Sequence, residues 1–144
     1  MKKRNKLLSL LFGPGGKDLG LLILRIVFGG MMLTHGAAKL ANFAGGAENF
    51  ADPLGLGSTL SFILIMATEV GASVFVMLGL LTRLAAIPLI FGMCVAAFVA
   101  HAPFTLSGSE MPLLYLGAFT VLLITGAGRY SADRLIVKTF FKQG

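Results

Sequence analysis

The chain is poor in charge. Only 12% of its 144 residues are Asp, Glu, Lys or Arg, against about 25% in a soluble domain. With 56% hydrophobic residues and a mean hydropathy of +0.89, that shortage excludes an ordinary soluble globule. Cysteine is nearly absent too. Cys94 is the single one and lies inside an apolar run. This excludes an intrachain disulfide and a Cys-x-x-Cys redox or zinc motif. Any redox chemistry must then use a bound cofactor or a partner. No Gly-rich phosphate loop, His-Glu-x-x-His metal motif or serine-nucleophile motif occurs.

What is present is a set of long apolar segments. Four are long enough to cross a bilayer: Leu19–Ala41, Ser58–Leu81, Leu84–Ala100 and Met111–Ala127. A span takes about 20 residues, with a lower limit of about 17. The runs do not alternate apolar with polar, so they are helices rather than barrel strands. The expected fold is therefore all-α, an integral membrane four-helix bundle. Its parts are a basic N-terminus (1–18), a transmembrane domain (19–128) and a basic C-terminal tail (129–144).

The net charge of +6 does not point to nucleic acid, because the basic residues flank the apolar segments instead of forming a stripe. They set orientation. Lys2, Lys3, Arg4, Lys6 and Lys17 precede the first segment, Arg83 sits in the turn after the second, and Arg129, Arg134, Lys138 and Lys142 follow the fourth. The other two loops hold Glu48, Asp52 and Glu110 and no Lys or Arg. The positive-inside rule puts both termini in the cytoplasm of a bacterial inner membrane. Leu7–Phe12 reads as an interfacial segment rather than a signal peptide, since the Gly/Pro run after it offers no Ala-x-Ala site. The tail, with Leu135, Ile136, Val137, Phe140 and Phe141 among basic residues, reads as a short interfacial helix. Ser131 is its expected N-cap, and Asp133 falls in its first turn. Loop Asn42–Gly57 is read as a linker, with a re-entrant cover as the alternative.

Small residues mark helix contacts in lipid. They are Gly29 and Gly36 on the first segment, Ala67 and Gly71 on the second, and a stripe of Gly92, Ala96 and Ala100 on the third.

The candidate site is a group of ionisable residues where lipid makes charge costly, about 2.5–3.5 kcal/mol each. At about 100° per residue, Arg25, Gly29, Met32, Gly36 and Lys39 share one face of the first helix, with His35 at its margin. Glu69 lies near the middle of the second. Depth along the helices, at about 1.5 Å per residue, favours Glu69 meeting His35 or Lys39 over Glu69 meeting Arg25. A carboxylate there suits proton or quinol chemistry, and a structural ion pair is the plain alternative. His35 could relay a proton, bond a quinone carbonyl or ligate a metal. Haem held by His35 and His101 is the weaker alternative. Lys39 and Arg25 could also snorkel to opposite interfaces. Phe28, Met31 and Met32 would line a ring held between the first two helices.

The order of motifs resembles the DoxX family of small four-helix inner-membrane proteins. The resemblance rests on Leu24-Arg25-Ile26, Gly29-Gly30 and Thr34-His35-Gly36-Ala37-Ala38-Lys39-Leu40. It continues through Glu69-Val70-Gly71, the Gly79–Ala86 stretch around Thr82-Arg83, and the closing Gly126-Ala127-Gly128-Arg129-Tyr130-Ser131-Ala132-Asp133. The resemblance implies a membrane redox accessory role beside quinone-linked oxidoreductase complexes. It implies Arg25, His35, Lys39, Glu69 and Arg83 as motif positions, and quinone as the ligand to test. A small proton-coupled transporter or channel is a second reading, and a structural or assembly subunit a third. Expected partners are the lipid bilayer, membrane redox subunits and further copies of the chain.

Overall fold

The computed structural model describes residues 16–140. The interfacial segment expected at Leu7–Phe12, together with Phe141 and Lys142, lies outside the described residues. Helix α1 spans Lys17–Ala41 and is followed by the single turn α2, Phe43–Gly46. Helix α3, Ser58–Ala67, passes through a π-helical turn at Thr68–Ala72 into α4, Ser73–Leu78. Helix α5, Thr82–Val95, runs into a second π turn at Ala96–Ala100. Helix α6 covers Leu106–Thr125, and α7 covers Ala132–Phe140. Four units are long and apolar enough to cross a membrane: α1, the α3–α4 unit, α5 with its π turn, and α6.

The ends of these units follow local chemistry. The second span stops at Leu78, three residues before the hydropathic boundary, because Gly79 turns left-handed at φ 69°. Leu81 is also left-handed, at φ 47°, and α5 starts directly after it. The fourth span starts at Leu106 rather than Met111. Thr105 caps it, its hydroxyl accepting from the Gly108 amide at 3.2 Å. Glu110 therefore lies in the helix and not in the loop.

The outside of the bundle is apolar, with Ile23, Leu64, Phe91 and Ile124 all exposed. That is the surface a bilayer solvates. Inside, Met32, Val76, Leu89, Phe119 and Leu122 form a sealed core. Helix α1 meets the second span through its glycines. A Cβ on Gly36 would lie 2.7 Å from Val70 Cγ2 and 2.9 Å from the Val70 backbone nitrogen, and one on Gly29 would lie 2.8 Å from Met77 Cγ. Absence of side chains lets these backbones approach. Gly71 does not share this role, since a Cβ there meets nothing within 4 Å. In the Gly92–Ala96–Ala100 stripe, Gly92 meets the second span closely, since a Cβ there would lie 3.0 Å from Ile65 Cδ1. The stripe also forms one wall of a cavity described below.

The first loop is more than a linker. Ala47 is buried, and Phe43 and Phe50 pack against Phe62 at ring distances of 5.8 and 5.3 Å. Asp52 fastens the loop to the start of α3. Its carboxylate accepts from Ser61 Oγ at 2.8 Å, the Gly57 amide at 2.7 Å and the Leu56 amide at 2.9 Å. These bonds, Ser61 first and then Gly57, hold the Asp52 carboxyl below its usual range.

Two predictions follow from this packing. Gly36→Ala should lower the thermal stability of the purified protein by about 1–3 kcal/mol, because the Val70 backbone cannot move aside. Gly30→Ala, whose nearest contact would be Met77 Cε at 4.0 Å, should stay within about 0.5 kcal/mol of the parent. The Asp52 fastening is complete above the ordinary carboxylate range and is lost as pH falls through the lowered folded value. Amide exchange at Leu56 and Gly57 should therefore stay slow at mildly acid pH and accelerate only below that range. In Asp52→Asn it should be fast at every pH.

Candidate functional site

Leu21, Arg25, Gly29, Met32 and Gly36 are the buried residues of α1. This is the face expected from helical spacing. The ionisable residues on it separate into two groups at opposite ends of the bundle.

At the loop end, Lys39 Nζ donates to Glu69 Oε2 at 2.7 Å. The Glu69 side chain is 6% exposed and that of Lys39 is 23% exposed. The pair is thus covered on the carboxylate side and open on the ammonium side. Gly36 makes the pair reachable. Its missing side chain lets α1 lie against the backbone of Glu69 and Val70, where a Cβ would come within 3.0 Å of the Glu69 carbonyl carbon. Glu69 is carried on the π turn, a wider helical turn often found at functional positions.

His35 is exposed at the margin of this face, and its ring stands edge-on to Tyr115 of α6, 6.0 Å between centroids. Phe28 meets the same tyrosine edge-on at 5.7 Å. Tyr115 is itself buried, and its hydroxyl makes no hydrogen bond to the described residues. Ser73, on α4, is a second buried hydroxyl without a partner among them. Met32 is sealed in the core, whereas Met31 is exposed. A ring held between α1 and the second span does not fit this geometry, because Gly29 and Gly36 close that interface. His101 lies at the end of the α5 π turn, where its Nδ1 meets the Ala96 carbonyl. No group of three or more His, Cys, Asp or Glu side chains suited to a metal ion occurs among the described residues.

At the other end, Arg25 does not snorkel. It is fully buried. Its guanidinium donates to the Met77 carbonyl at 3.4 Å and to the Tyr130 carbonyl. Gly79 makes room for it, since a Cβ there would lie 2.0 Å from Arg25 Nη1. Asp133 completes the arrangement. Its amide donates to the Gly79 carbonyl at 2.9 Å, while its carboxylate accepts from the Leu81 amide at 2.6 Å and the Thr82 amide at 3.1 Å. Asp133 thus caps α5, which carries no cap of its own. Arg83 donates to the Ile124 carbonyl at 3.1 Å, and Asp18 accepts from the Arg129 amide at 2.9 Å. Ser131 caps α7 as expected, accepting from the Arg134 amide at 3.3 Å.

Sequence reasoning overlooked Tyr115, Ser73 and the cross-chain role of Asp133. Tyr115 left a signal, as the one tyrosine inside an apolar span. Asp133 left none, because its partners are 51 and 52 residues away.

A cavity of about 410 Å³ opens beside the second and third spans and is bordered by Thr68 of the π turn. Thr68 faces it while its neighbour Glu69 faces Lys39.

Arg25→Met should leave two carbonyls unpaired and cost about 2–4 kcal/mol in detergent unfolding. Asp133→Asn should cost about 1 kcal/mol through the weakened cap. Neither variant should alter the environment of the Lys39–Glu69 pair, which a ¹³C-carboxyl signal from Glu69 would report.

The DoxX family model matches residues 20–102. Among curated proteins, the inner membrane protein YqjF of Escherichia coli is 30% identical over 127 residues, covering 85% of this chain and 95% of its own length. An uncharacterized protein of Haemophilus influenzae is 32% identical over 129 residues, covering 82% and 91%. The E. coli inner membrane protein YphA is 29% identical over 123 residues, covering 79% and 88%. No solved structure matches the chain.

Proposed function

The chain belongs to the DoxX family, and from that premise we propose that it serves a quinone-linked redox system of the bacterial inner membrane as an accessory subunit. Both termini lie in the cytoplasm on this reading, which places the Lys39–Glu69 pair toward the outer face. The observation that carries it is the buried Glu69 carboxylate, paired at 2.7 Å with a partly exposed Lys39; His35 on the same helix as Lys39 stands edge-on to Tyr115, a buried phenol with no hydrogen-bond partner among the described residues.

These residues fit a quinone headgroup on chemical grounds. The ring needs donors for its carbonyls and apolar walls for its faces. His35 and Lys39 are donors reachable from outside the core, and Phe28 and Met31 flank them along α1. The site lies on the α1–α6 side, since the interface of α1 with the second span is closed by glycine. A bound quinone supplies reversible two-electron, two-proton chemistry, and the electrons come from a partner protein. The chain's own part is protonic. Lys39 holds the Glu69 carboxylate at 2.7 Å, and a ligand that draws the ammonium away leaves that carboxylate as a free hydrogen-bond acceptor. Tyr115, edge-on to His35, offers its hydroxyl as a further donor.

A structural role for the pair is the second reading, favoured by the close backbone contact at Gly36 directly beneath it. One double variant separates the two. Removing both buried charges together is close to neutral for folding, whereas removing one is costly. Lys39→Met combined with Glu69→Met should unfold near the parent temperature. It should also bind a short-tailed benzoquinone at least about tenfold more weakly, ~1.4 kcal/mol. Undiminished quinone binding by the folded double variant would sink the redox reading and leave the structural one.

A further inference from the structure

The cavity beside the second and third spans does not share the ion pair's chemistry. Its walls are almost wholly apolar, and Ser61 and Thr68 are the two polar residues among them. The Ser61 hydroxyl is already committed to Asp52. Ligand sites of a few hundred Å³ ordinarily carry several convergent polar groups. This one, at about 410 Å³, does not, so it suits hydrocarbon.

Three features build the space. Gly92, Ala96 and Ala100 remove side-chain volume from one wall. The two π turns of the molecule both border it, through Thr68 on one side and Ala96 and Ala100 on the other. Loop residues from Phe50 to Leu56 roof one end, held by the Asp52 fastening. The walls belong to two membrane-crossing units, so an occupant enters sideways from the bilayer.

Charge at the roof selects the headgroup. Residues 42–57 hold Glu48 and Asp52 and no Lys or Arg. Such a rim repels a phosphate diester that lacks a compensating cation and attracts an ammonium group. We propose that the cavity is a binding site for one acyl chain of an ammonium-headed phospholipid, with the headgroup beside the acidic first loop. The site is separate from the polar group at Glu69. The single residue step from Thr68 to Glu69 on one π turn places the two sites on neighbouring faces of the second span.

Photolabelling tests this. The protein is placed in nanodiscs with phosphatidylethanolamine bearing a diazirine on one acyl chain, and separately with phosphatidylglycerol bearing the same chain. Adducts are then mapped by mass spectrometry. With phosphatidylethanolamine, labelling on Ile65 and Val95 should exceed that on the bilayer-facing Ile23 and Leu114 by about tenfold, a real affinity difference rather than contact with bulk lipid. The excess should be several-fold smaller with phosphatidylglycerol. Ala96→Phe should abolish it while labelling of Ile23 and Leu114 persists, and Ala100→Phe at the mouth serves as a second filling variant should the first fail to fold. Even labelling across all bilayer-facing residues would overturn the site. Equal excess with the two lipids would overturn its headgroup preference.

Discussion

A charge inside a bundle solvated by lipid must find its partner within the protein, and this constraint organises the whole molecule. Water cannot stabilise Arg25 or Glu69 where they sit. Arg25 is therefore satisfied by backbone carbonyls of Met77 and Tyr130, and Glu69 by the ammonium of Lys39. Each solution demands that α1 lie close to the second span. Gly29, Gly36 and Gly79 are the positions where any side chain would prevent that approach. Charge and glycine are thus two sides of one packing problem: the small residues exist where the charged ones need access.

The polar residues divide accordingly. Arg25, Gly79, Arg83 and the closing segment up to Asp133 form a lock at the end of the bundle that carries the termini. Within it a carboxylate from the last helix caps the third span, and an arginine from the first ties down the turn after the second. Residues scattered over more than a hundred positions of sequence meet there. His35, Lys39 and Glu69 form the other group, at the opposite end, together with Tyr115. Among the buried side-chain atoms of the lock, Arg25 Nε and Thr82 Oγ1 have no partner among the described residues, and in the second group the Tyr115 hydroxyl has none, beside an exposed imidazole and a partly exposed ammonium.

The π turn at Thr68–Ala72 joins the two faces of the second span. A regular helix interior offers no freedom to its backbone, and a wider turn changes which face each following residue presents. Here it sets Thr68 toward an apolar cavity and Glu69 toward the ion pair, in adjacent positions. The second π turn, in the third span, borders the same cavity and turns the Ala97 carbonyl to Ser109 of α6 at 2.9 Å.

The sequence by itself determined the number of spans, their helical nature and the buried face of α1; for Glu69 it favoured His35 or Lys39 over Arg25, and the structure selected Lys39. These are readable because lipid imposes long apolar runs and because helical spacing and rise are fixed. It also carried the N-cap at Ser131, a contact within one turn. Only the tertiary structure decided the partners of Arg25 and Asp133, the packing of the first loop on Phe62, and the place of Tyr115. It likewise showed that the Gly92–Ala96–Ala100 stripe, in close contact with Ile65 at Gly92, also forms a cavity wall. A periodic pattern tells which side of a helix is special. It does not tell what faces that side, because the opposing surface comes from distant sequence and is fixed only when all four spans pack together.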